Sequence, residues 1–184
     1  MLPLAAIAAA FAWSFAEATV FFIVADVLLT FIAVAMGLRV ALQASFAAAI
    51  GAACGGMLMW RYGLSDPAAA THLLAAVPFV SSGMIAKGTA GMAGADWPLA
   101  MLRGSVTGIP YKVYAVAAGK EGLTALLFLG VTIPVRLLRF AVASSLVAAI
   151  DAPLRRRFDL KRRLMLLAIF WLLFYGEFAW RWFS

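Results

Sequence analysis

The chain is short of the side chains that do most covalent chemistry. Among its 184 residues there is one cysteine and one histidine. A lone cysteine, Cys54, makes no disulfide within the chain and no thiolate cluster for a metal. Its surroundings, GAACGGMLMW, read as those of a small buried hydrophobe. The histidine, His72, falls in a short segment expected to face solvent or headgroups. There is no Gly-x-Ser-x-Gly elbow, no His-Glu-x-x-His pair and no phosphate-binding glycine loop. The reading is therefore of a non-enzyme, with no metal and no cofactor.

Charge is also scarce. Only 12% of residues are charged and 66% are apolar, where soluble domains run near a quarter charged and half apolar. This composition is that of an all-α polytopic membrane protein. The opening MLPLAAIAAAFAWSFA lacks the positive n-region of a secretory signal, so it reads as part of the membrane domain.

The apolar runs are of two kinds. Residues 38–61, 122–150 and 164–182 are long enough for full spans, each needing about 20 residues. Residues 2–36 are too long for one span and too short for two, and Glu17 and Asp26 interrupt them. Residues 98–120 are apolar with Gly104, Gly108 and Pro110 as breakers and Arg103 and Lys112 as embedded charges. Both read as re-entrant helical hairpins, a form tolerated at membrane depth only under cover of protein or a water-filled cavity. Between them, residues 62–97 are expected to give an interfacial helix opened by Ser65-Asp66-Pro67 and then a glycine-rich loop. Gly51-x-x-x-Gly55 suits close helix packing within the monomer. Trp60 is expected as an interface anchor, and Glu177 and Arg181 as an i, i+4 ion pair near the exit of the last span.

A hairpin followed by a full span occurs twice, and one full span between the two units has them enter from opposite sides. That is the trace of an inverted repeat. Six of the fifteen basic residues lie in RRRFDLKRR, residues 155–163. The positive-inside rule puts the loop 151–163 in the cytoplasm, near anionic headgroups, and argues against a nucleic-acid surface.

The stretch GIPYKVYAVAAGKEGLTALLFLGVTIPVRLLRF, residues 108–140, carries a Pro-Tyr-Lys turn, an Ala-Ala-Gly hairpin end and an Arg-x-x-Arg-Phe in the next span. With the acids of EATVFFIVADVLL, it resembles the DedA family, also called the SNARE-associated or VTT-domain family, in its short bacterial branch. The family often has prolines between those two acids; here the stretch is ATVFFIVA. The resemblance implies a multi-pass protein of the bacterial inner membrane. The implied activity is as a flippase or scramblase of a phosphate-bearing lipid, undecaprenyl phosphate or a phospholipid, with proton coupling and homo-oligomerisation left open.

Ionisable groups at membrane depth are functional candidates by default. Arg103, Lys112, Arg136 and Arg139 are the expected phosphate ligands, Arg through its planar fork and Lys as a point charge. Glu17 and Asp26 are expected to compensate them or to carry a coupling proton. Single neutralisations, Glu17→Gln or Arg136→Ala, are expected to keep the fold and lose translocation. An ion or small-solute channel, or a structural protein with internal salt bridges, are the alternatives.

Overall fold

The computed structural model describes residues 2–183, and the side chains of Leu2, Arg181 and Phe183 lie outside that description. The expected Glu177–Arg181 pair therefore falls outside the described residues. Among those described, all regular structure is helical. The helices are α1 (Leu2–Thr19), α2 (Asp26–Met36), α3 (Leu38–Ser65), α4 (Pro67–Ala76), α5 (Ser82–Ala93), α6 (Trp97–Thr107), α7 (Tyr111–Lys120), α8 (Ala125–Leu154) and α9 (Leu160–Phe183).

Helix α3 is the axle of the molecule. Its buried stripe is almost entirely small: Ala41, Ala44, Ala48, Gly51, Ala52, Gly55 and Gly56 recur at helical spacing. Gly51 and Gly55 lie against the backbone of α1 at Phe11 and Phe15. Gly56 receives the Tyr111 ring of α7. Lower down, Gly63 of α3 faces the backbone at Val116, while Gly119 of α7 faces the backbone at Trp60 and Leu64. The Gly-x-x-x-Gly motif thus works inside the monomer, letting short helices approach a long one backbone to backbone.

A methyl group on Gly119 would meet the Trp60 carbonyl and the Leu64 amide, neither of which can step aside. Gly119→Ala is expected to destabilise by about 1–3 kcal/mol, read as a lower melting temperature in detergent. Gly130→Ala, where nothing lies within 4 Å, is the control and loses nothing.

Several expectations are corrected. The glycine-rich stretch forecast as a loop contains helix α5, capped by Ser81, whose hydroxyl accepts from the Met84 amide at 3.1 Å. Its glycines serve packing: Gly88 sits against Val113 and Gly91 against Ala100. The basic loop is shorter than 151–163, because α8 runs on to Leu154 and α9 already starts at Leu160. Cys54 is exposed, since the Ala/Gly stripe of α3 turns it outward. Trp60 donates its indole N–H to the Leu123 carbonyl at 2.9 Å, tying α3 to the α7–α8 connection. Gly104 does not break α6; it makes room for the Tyr114 ring. The capped start of α4 is as expected: Asp66 accepts from the Ala69 amide at 3.0 Å, with Pro67 in the first turn. His72 is exposed on α4.

Three helices, Leu38–Ser65, Ala125–Leu154 and Leu160–Trp180, are long and apolar enough to cross a bilayer. Leu138, Val142, Leu146 and Ile150 form an exposed apolar stripe along α8, every one more than half exposed. Much of α9 is likewise exposed and apolar, including Leu172 and Leu173. Apolar surface on this scale is what a lipid-facing wall presents.

Candidate functional site

Both broken helices break at the same place in space. Between α1 and α2, residues 20–25 contain neither proline nor glycine. The run Val20-Phe21-Phe22-Ile23-Val24 is β-branched and aromatic, weak as helix former. Side chains from elsewhere satisfy its backbone. Trp13 donates to the Ile23 carbonyl at 3.1 Å, Lys112 Nζ to the Phe21 carbonyl at 2.8 Å, and the Tyr175 hydroxyl accepts from the Val24 amide at 2.9 Å. Non-helical backbone away from water needs such partners. Between α6 and α7 the break is local: Gly108 takes a left-handed conformation with φ 82°, and Pro110 precedes the first residue of α7. Lys112, in that first turn, reaches across to the other break.

Five charged groups gather here. Glu17 of α1 is paired with Arg136 of α8, both buried. The Arg136 guanidinium lies between two rings, 5.0 Å from the Tyr111 centroid and 4.5 Å from that of Phe140, in the geometry of a cation–π clamp. Tyr111 in turn donates to Thr132 at 3.2 Å. Asp26, in the first turn of α2, accepts from Arg139 Nε at 3.0 Å and Nη2 at 2.6 Å, both on one carboxylate oxygen. Arg139 also donates to the Ser105 carbonyl at 3.0 Å, holding the end of α6 to the start of α2. Arg136 and Arg139 stand one helical turn apart, which is why both reach the same site.

Three bases face two acids, leaving one formal positive charge. The unmatched base is Lys112. It is 2% exposed, and its hydrogen bond goes to a peptide carbonyl rather than to a carboxylate.

A cavity of about 260 Å³ opens beside these groups. Glu17, Asp26, Lys112 and Arg139 line it, together with residues of both breaks. Helix α9 lines it as well, through Trp171, Phe174, Tyr175 and Phe178. A charged pole and the aromatic side chains of α9 thus share one small space. Arg136 is not on that surface. It lies behind Glu17 and Tyr111, against a void of about 10 Å³, room for roughly one water.

Of the four expected phosphate ligands, Lys112 and Arg139 line the cavity, and Arg136 is paired with Glu17 away from its surface. Arg103 is exposed and lines neither space. The buried face of α6 is Trp97, Met101 and Gly104, and Arg103 points off that face. Glu17 and Asp26 both join the site. The sequence reading missed Trp13, Trp171 and Tyr175, and took Tyr111 only as part of the Pro-Tyr-Lys turn. Trp171, Tyr175 and Phe178 recur at i, i+4 and i+7, a face visible in the sequence. Within so apolar a span, nothing marked that face as turned inward.

Protein-family models, curated proteins and solved structures were each searched with this chain, and none matches. The likeness to the DedA family rests on the residues quoted above.

Proposed function

We propose that this chain moves a phosphate-bearing lipid headgroup across a membrane through the cavity between its two broken helices. The observation that carries the reading is Lys112: a buried ammonium, unmatched by a carboxylate, at the meeting point of both breaks. An anion entering the cavity would replace the Phe21 carbonyl as its partner and cancel the site's excess charge. Arg139 would add a second donor from the cavity wall. The amino-terminal turn of α7 would contribute positive dipole. The lipid chain would remain on the aromatic and bilayer side.

Support for paired re-entrant hairpins comes from the packing: α2 lies on α8 and α7 on α3, so each unit's second short helix packs on the other unit's span. The two units are not packed alike: α2 lies as closely on its own unit's α3 as on α8, and α1 packs far more closely on α3 than α6 does on α8. On this reading α1–α2 and α6–α7 enter from opposite faces. The basic turn after α8 lies in the cytoplasm, and the membrane is a bacterial inner membrane, as the DedA-like motifs imply. Proton coupling would run through Glu17 or Asp26.

Ligand binding tests the site directly. A short-chain polyprenyl phosphate or a phospholipid, added to the solubilised protein, is expected to raise its melting temperature, because a ligand of the folded state stabilises by mass action. The corresponding polyprenyl alcohol, which lacks the phosphate, is expected to raise it much less. Equal shifts from phosphate and alcohol would show that the charged pole is not the binding element. Lipid-independent conductance in a planar bilayer would favour a channel instead.

A further inference from the structure

We infer that α9 is a movable wall, and that it admits an apolar chain from the bilayer into an aromatic slot beside the charged pole. The inference rests on the lipid reading above and adds a route and a chain subsite to it.

The two ends of α9 are held differently. At its start, Arg163 donates twice to Asp151 at the end of α8, at 2.8 and 2.7 Å, and Arg155 donates to the same carboxylate at 2.6 Å. Asp151 is buried. This is a fixed pivot. Along its length α9 packs on α2. Trp171 donates to Thr30 at 3.0 Å and Tyr175 accepts from Val24 at 2.9 Å. Near its far end, Phe178 and Trp182 lie 5.4 and 5.7 Å from Phe79, and Phe79 lies 5.2 Å from Phe22 of the first break.

Phe79 holds that end under strain. It sits between α4 and α5 with φ 63°, the only positive φ outside glycine among the described residues. A bulky side chain rarely adopts this conformation, and such outliers persist where the surroundings over-determine them. Here the strained backbone places the ring in the cavity lining, between Phe22 and α9. The slot so closed is lined by Phe22, Phe79, Phe174 and Phe178. It suits a hydrocarbon chain and offers a charged headgroup nothing. Movement of α9 about the Asp151 pivot would part Phe178 and Trp182 from Phe79 and open the slot sideways, toward the exposed apolar face.

Cysteine labelling in liposomes tests this. The reporter is Val24→Cys, on the cavity lining; the native Cys54, exposed on α3, is the internal reference. An octyl maleimide dissolved in the bilayer is compared with a sulfonated maleimide confined to water. Adding Phe79→Gly removes the ring and relaxes the backbone. Loss of the two ring contacts to Phe178 and Trp182 of α9 is expected to raise octyl maleimide labelling of the reporter about tenfold, with Cys54 labelling unchanged. Trp171→Phe, which keeps a ring but removes the bond to Thr30, is expected to raise it about fivefold. Unchanged octyl labelling in both variants would overturn the inference, and so would an equal gain by the sulfonated reagent, which would mean an aqueous mouth. Labelling needs no lipid to be transported, so its failure and failure of the headgroup reading are separate results.

Discussion

Lys112→Met is expected to fold as the parent does and to slow headgroup translocation ten- to hundredfold. The lysine is buried, and its ammonium donates to the Phe21 carbonyl. Methionine is unbranched and of similar length, so it fills the same channel of space. It leaves the carbonyl without its donor, which costs about 1–3 kcal/mol, but it also removes a desolvated cation, which offsets that cost. Function has no such offset. The formal charge of the site falls from one positive to zero, and the headgroup loses a charge-assisted hydrogen bond of about 1.5–3 kcal/mol. Lys112→Arg keeps the charge and is expected to retain partial activity. Thermal unfolding beside translocation rate checks both halves. A methionine variant that is stable and translocates at the parental rate would remove Lys112 from the mechanism.

Arg136→Met is expected to have the largest effect on stability, a loss of about 3–5 kcal/mol. Arg136 is 2% exposed and Glu17 6% exposed. Removing the arginine leaves a buried carboxylate without the guanidinium that neutralises it. The burial of both partners argues against the expectation that a single substitution here spares the fold. Replacing both partners, Glu17→Gln with Arg136→Met, is expected to recover most of the loss, because a buried pair is often dispensable when both charges go together. The Asp26–Arg139 pair is less enclosed, with the Arg139 side chain 25% exposed, so Arg139→Met is expected to destabilise less. A double-mutant cycle on unfolding free energy measures the coupling. Additive losses at positions 17 and 136 would mean that the pair does not act as a unit.

How much of this was legible in the sequence depends on the range of the interaction responsible. The long apolar runs announced α3, α8 and α9, because span length is set by bilayer thickness. The second break was written locally, in Gly108 and Pro110. The first was legible only through its acids and its length: a β-branched and aromatic run does not end a helix by itself. Its backbone is held open by Trp13, Lys112 and Tyr175, two of them far away in sequence. Glycines misled where they serve packing, as in α5, because composition does not distinguish a turn from a close helix contact. Among the charges, Glu17, Asp26, Lys112, Arg136 and Arg139 were found because an isolated ionisable group in an apolar run stands out. Arg103 stood out equally, yet helix phase sets it on the outer side of α6. The pairing of Glu17 with Arg136 and of Asp26 with Arg139 spans more than a hundred residues, and no local pattern encodes such a match.

The most direct test of the account is headgroup translocation in liposomes, with parent and Lys112→Met protein side by side. A fluorescent phospholipid or a short-chain polyprenyl phosphate is followed by its accessibility at the outer leaflet, with and without a pH gradient. The account predicts rapid exchange of the phosphate-bearing lipid with the parent protein and slow exchange with the variant. Dependence on the gradient would mark proton coupling. No exchange of either lipid by folded parent protein, or equal exchange by both proteins, would contradict it.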